Sequence, residues 1–201
     1  MHVSIKQLAV VALFVAPFAL FPQMVVRTAA AQSAVPSGGT IAAWTAIAST
    51  GVIDETDMNK VNFGIDGSAT IKSTISSTSA RIRYNITATE DITRGGTPGQ
   101  PLSFGIVARD NGPHAHVKAT LKAIGLRAGG VARTLMVWDS DNFPSNDGFV
   151  RSDFPSFKDG GDVVGSLGFF NDGYVIEVDL IKTAADGNPG LRGLTLYHDQ
   201  P

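Results

Sequence analysis

The chain has 201 residues with 16 basic and 18 acidic side chains, a formal net charge of −2 and no cysteine. This balance gives no basic patch for phosphate neutralisation, so nucleic acid is not an expected partner. The absence of cysteine excludes both disulfides and thiolate zinc sites, leaving hydrophobic burial or a bound ion to hold the fold together.

The first thirty residues read as a secretory signal peptide. Lys6 supplies a charged n-region, Leu8 to Phe21 an apolar h-region, and Ala29 and Ala31 flank Ala30 as the small residues of a cleavage site. The alternative is an uncleaved anchor running from Leu8 to Val26, which Pro17, Pro22 and Gln23 weaken. Residues 1–31 are therefore expected to address the protein to a secreted, periplasmic or cell-surface location, with no membrane segment after cleavage. Residues 32–40, rich in Ala, Ser, Gly and Pro, read as a flexible leader. The remaining 41–201 are of a length suited to one domain.

From Ile41 onward the chain reads as short strands punctuated by Gly, Asn, Asp and Pro. The expected strands are Ile41 to Ala48, Ala69 to Ile75, residues 81–89, Leu102 to Arg109, residues 114–123, Ala132 to Trp138, Gly148 to Phe154, residues 174–181 and Leu191 to His198. Alternation is strictest in 114–123, where Ala115, Val117, Ala119, Leu121 and Ala123 occupy one face and His114, His116, Lys118, Thr120 and Lys122 the other. Residues 54–60 have the only helix-compatible chemistry, with Asp54 a candidate N-cap for a single turn. The pattern predicts an all-β fold: an antiparallel two-sheet β-sandwich of jelly-roll or immunoglobulin-like kind.

Asp139 to Gly173 is the exception, a long stretch dense in Asp, Gly, Pro and Phe with one credible strand inside it. Long loops of this kind are often functional, and its six phenylalanines are too many for a purely solvated segment. Asp139, Asp141 and Asp147 are candidate oxygen ligands for calcium, with Asp153, Asp159 and Asp162 further on. They do not form an EF-hand: Phe143 stands fifth, Pro144 sixth where glycine is needed, and Val150 twelfth where a bidentate Glu belongs. The stronger expectation is that these residues simply form turns. His114 and His116 share one strand face and would need a third ligand from elsewhere to hold a transition metal.

No catalytic set emerges, and calcium is the one cofactor that the residues suggest. The nucleophile-elbow pattern G-x-S-x-G is absent, and Glu177 with Asp179, on one strand face, is expected to form cross-strand ion pairs rather than a glycosidase dyad. Trp44 and Trp138 alternate with apolar neighbours, which favours core positions over sugar platforms.

The runs WTAIASTGVIDE at 44–55, RIRYNITATE at 81–90, VKATL at 117–121, YVIEVDLIKT at 174–183 and NPGL at 188–191 resemble a loose group of small secreted bacterial proteins of uncharacterised function. That resemblance implies export, a bacterial source and a β-sandwich, and transfers no active site. The expected function is a non-catalytic extracellular module binding glycan or the cell-envelope surface. The alternative is a polysaccharide-active hydrolase or lyase.

Overall fold

The computed structural model describes residues 41–94, 101–154, 156–159 and 162–198, all within one compact unit. The expected signal peptide (1–31) and leader (32–40) lie outside the described residues. In chain order the elements are β1 (Ile41–Ile47), β2 (Val52–Ile53), β3 (Val61–Phe63), β4 (Ala69–Ile71), β5 (Thr78–Ile86), α1 (Glu90–Arg94), β6 (Leu102–Asp110), β7 (Ala115–Gly125), β8 (Ala132–Asp139), β9 (Asn146–Phe154), β10 (Lys158–Asp159), β11 (Asp162–Val163), β12 (Asp172–Lys182) and β13 (Gly190–His198).

Two antiparallel sheets form a sandwich. The first runs β3-β4-β13-β6-β9 with β1 also paired to β13; the second runs β2-β5-β12-β7-β8, and β10 with β11 makes a separate hairpin. Each sheet turns its apolar residues inward by the two-residue period of a strand. Register places Trp44, Leu196, Phe104 and Phe154 in one row across the first sheet. Tyr84, Ile176 and Leu121 align in a row across the second. Phe104, Leu196, Ile176 and Leu121 are fully buried, and each large apolar side chain so buried contributes roughly 1.5–3 kcal/mol relative to exposure. Trp44 and Trp138 are both core residues, 8 % and 3 % exposed.

Close backbone approach fixes one end of the packing. A side chain at Gly51 would put its Cβ 2.3 Å from Ile82 Cγ2 and 2.6 Å from the Tyr84 ring. The bare glycine lets the Tyr84 hydroxyl pass and donate to the Ala48 carbonyl at 2.7 Å. Burial pushes the Tyr84 phenol well above its ordinary value, so it serves as a neutral donor.

Two expectations need correction. Residues 54–60 form successive turns rather than a helix, because the Asp54 carboxylate is taken by Arg83 and Asp57 binds Lys60 and the Arg81 N–H. The helix lies instead at Glu90–Arg94, where the Thr89 Oγ1 accepts from the Ile92 N–H at 3.2 Å and caps its first turn. β5 ends at Ile86, short of the expected Thr89, and the three residues that follow lead into this cap. The stretch from Asp139 to Gly173 also holds more structure than expected, since it carries the β10–β11 hairpin in addition to β9. Among the described residues, no helix is long and apolar enough to cross a membrane.

Candidate functional site

The outer face of the second sheet is closed by ion pairs. Glu177 on β12 sits between Arg83 on β5 and Thr120 on β7. Its carboxylate receives Lys122 Nζ at 2.6 Å, Arg83 Nε at 3.2 Å and Arg81 Nη1 at 3.5 Å. Desolvation alone would push its pKa up; the hydrogen bonds from Lys122 and Arg83 prevail and hold it below the ordinary range. Asp179 binds Arg81 through two hydrogen bonds of 2.7 and 2.9 Å. Glu177 and Asp179 thus form the cross-strand pairs that their spacing suggested.

A different arrangement occupies the corner where β8 leaves the second sheet and the chain crosses to β9. Asp139 ends β8, and its Oδ1 accepts from the Asp141 N–H at 3.1 Å, capping a single 3-10 turn over Ser140–Asn142. Ser140 points inward, where its Oγ accepts from the Val117 N–H at 2.9 Å and donates to Asp110 Oδ2 at 2.5 Å. Asp110 Oδ1 in turn accepts from the Gly112 N–H at 3.0 Å. The turn is therefore braced against both β7 and the end of β6.

Phe143 follows the turn and folds back on Trp138, with ring centroids 5.4 Å apart and planes 22° from parallel. It stays 38 % exposed. The ring borders two clefts: one of about 300 Å³ that includes Asp110, Trp138, Ser140, Asn146 and Arg151, and one of about 260 Å³ that includes Asp110, Gly112, Asp141 and Ser145. The Trp138 indole N–H is buried with no acceptor among the described residues, a donor left unsatisfied inside a cleft wall.

On the outer side of the same corner, His116 Nε2 lies 2.7 Å from Asp139 Oδ1 and its Nδ1 lies 3.7 Å from Asp141 Oδ2. Three residues weighed as two separate metal-ligand candidates, His116 and the Asp139–Asp141 pair, are thereby brought together. Asp147 is not part of this group; it is an exposed residue of β9. His114 pairs with Asp186 at 2.7 Å, Asp153 with Arg151 at 2.8 Å, and Asp159 with Arg133 at 3.1 Å. Asp162 is exposed on β11. Sequence reasoning passed over Asp110, Ser140 and Asn146, whose only signal was their membership of turn-forming clusters.

The loop phenylalanines divide between core and surface. Phe157 is buried, Phe154 and Phe169 pack against the core, and Phe170 is exposed. Phe149 has the Arg109 and Arg192 guanidinium carbons each 4.9 Å from its ring centroid, which occupies it with cation–π contacts.

No protein-family model matches the chain, and no curated protein matches it. Among solved structures, the chain is similar to a xylan-binding module, CBM15 (10 % identity, TM-score 0.40), covering 70 % of this chain and 82 % of that one. It is also similar to a mannan-recognising carbohydrate-binding module, TmCBM27 (11 % identity, TM-score 0.37, 80 % and 98 % covered). A family two carbohydrate esterase from Cellvibrio japonicus matches at 12 % identity and TM-score 0.32, covering 78 % of this chain and 34 % of that one. Superpositions this loose transfer neither a ligand nor a residue role.

Proposed function

We propose that the protein is an exported, non-catalytic module that binds a neutral glycan at the β8–β9 corner. Export rests on the Lys6, Leu8 to Phe21 and Ala29 to Ala31 pattern. The observation that carries the binding reading is Phe143: a partly exposed ring, stiffened by stacking on Trp138, between two clefts with polar walls. An apolar ring face with convergent hydrogen-bonding groups is what a sugar needs, since its C–H face packs on the ring while its hydroxyls reach the polar walls. Neutrality follows from charge. Asp141 accepts hydroxyl hydrogens, it and Asp110 repel uronates, and Arg151, the one basic residue among the described residues lining either cleft, is already bound to Asp153.

The rival reading is a polysaccharide hydrolase or lyase working through Asp110 and Asp141, the carboxylates that share the smaller cleft. Both Asp110 oxygens are engaged within the fold, by Ser140 and Gly112. That makes the residue a brace for the corner rather than a free acid or base. Affinity electrophoresis of the wild type and of Phe143→Ala through a panel of neutral and uronate polysaccharides tests the proposal. Retention by a neutral glycan is expected, weakened about tenfold by the substitution, as the loss of one aromatic contact implies. Release of reducing sugar that Asp141→Asn abolishes would replace this reading with the enzymatic one; absence of retention on every neutral glycan would end it.

A further inference from the structure

We propose that His116, Asp139 and Asp141 form a binding site for a divalent transition cation of the zinc class. The three residues come from separate places, β7, the end of β8 and the 3-10 turn, and each offers one ligand atom, all within 4.8 Å of one another. Zinc bonds to imidazole nitrogen and carboxylate oxygen are about 2.0–2.1 Å, so ligand atoms of a tetrahedral site stand roughly 3.3 Å apart. One imidazole gives an ion a single nitrogen: Nε2 lies 2.7 Å from Asp139 and Nδ1 lies 3.7 Å from Asp141, and one ligand atom from each residue falls within 4.8 Å of the others. Closing that spread to the tetrahedral spacing takes side-chain shifts of up to about 1.5 Å, which the exposed Asp141 side chain can supply.

The local charge balance is a separate observation that points to a cation. Among the described residues, neither Asp139 nor Asp141 has a lysine or arginine within ion-pairing distance. Asp54, Asp57, Asp66 and Glu177 all do. Lys118 lies opposite Asp139 in register yet makes no ion pair with it. Two carboxylates thus meet at one imidazole with no lysine or arginine paired to them, an arrangement whose charge a divalent ion matches.

The ligand types select the metal. Calcium takes six to eight oxygens, whereas one imidazole and two carboxylates with an open position suit zinc. The Asp141 side chain, 67 % exposed, keeps that position open to solvent, and Asp141 also lines the smaller cleft beside Phe143. A bound ion would therefore stand at the cleft rim with a site free for a water or a hydroxyl oxygen. Metal binding does not depend on the cleft taking a glycan.

Calorimetric titration of the untagged, EDTA-stripped and dialysed protein with zinc chloride, and separately with calcium chloride, tests the site. One equivalent of zinc is expected to bind with micromolar or tighter affinity and to raise Tm by mass action, with calcium far weaker. His116→Ala and Asp141→Asn should each weaken zinc at least tenfold, and Asp147→Asn should leave it unchanged. Cobalt should give the visible absorption of a tetrahedral site. No saturable zinc binding by the folded wild type, a preference for calcium, or zinc binding that survives both His116→Ala and Asp141→Asn would overturn the proposal.

Discussion

Glu177 and Asp141 are both carboxylates that reach the solvent side of the second sheet, yet their surroundings are opposite. Glu177 stands mid-sheet with a side chain 12 % exposed and three basic partners on two neighbouring strands; Asp141 stands at the sheet's end, 67 % exposed, facing one imidazole. The difference follows from topology. A residue on a central strand has a neighbour on each side, so opposite charges are drawn into fixed cross-strand pairs and contribute to cohesion. Where β8 leaves the ladder there is no strand beyond it to supply a partner, and polar groups collect with unused capacity. Cohesion and recognition are thus separated by position in the sheet, even for the same chemical group.

The largest test of this contrast is Glu177→Ala. Removing the carboxylate leaves Arg81, Arg83 and Lys122 crowded without their shared anion. Hydrogen bonds to charged groups contribute about 1.5–3 kcal/mol, but exposure of the two arginines moderates the loss, so a destabilisation of about 2 kcal/mol is expected. For a domain of this size that lowers Tm by roughly 6 °C, readable by thermal denaturation at neutral pH. A change below about 0.5 kcal/mol would show that the network is decoration and would break the comparison.

The second test is acid. The folded pKa of Glu177 is depressed below the ordinary 4.5 by its cationic partners, despite the opposing effect of burial. A depressed carboxylate contributes stability that is complete above its unfolded pKa and disappears as pH falls through the folded one. The gap in stability between the wild type and Glu177→Gln should therefore be full at pH 7, begin to close below about pH 4.5 and narrow further in stronger acid. Denaturant midpoints across that range measure it. A gap that stays constant into strong acid would remove the charge from the explanation.

How far the sequence foretold each region has the same geometric basis. Strands such as β5, β7 and β12 were legible because their two-residue alternation is local and strict. β2, β10 and β11 span two residues each, too few for any period to register. α1 was missed because one helical turn at Thr89 carries no more signal than the competing cluster at Asp54. The cross-strand fate of Glu177 was readable from its own strand, where Asp179 shares its face. The corner was not readable, since its residues meet only through pairing. His116 and Asp139 are 23 positions apart and come together through the β7–β8 register, which a bulge at Leu121/Lys122 shifts partway along. Such a shift follows from tertiary packing and leaves no mark in composition or spacing.

The smallest expected effect is the sharpest complement to Glu177. Asp141→Asn removes a carboxylate whose only ionic contact among the described residues is the 3.7 Å approach to His116. Its backbone N–H still donates to Asp139 Oδ1, so the 3-10 turn keeps its cap. The substitution also relieves repulsion between two adjacent carboxylates. These contributions oppose one another, and the metal-free variant should match the wild type within about 0.5 kcal/mol in thermal melts with EDTA present. With excess zinc the balance changes, because the ion stabilises only the form that binds it, and the wild type should then melt above the variant. A large loss of stability in EDTA would mean that Asp141 belongs with Glu177 among the groups that hold the sheet, and the separation of cohesion from recognition would fail at the residue chosen to represent it.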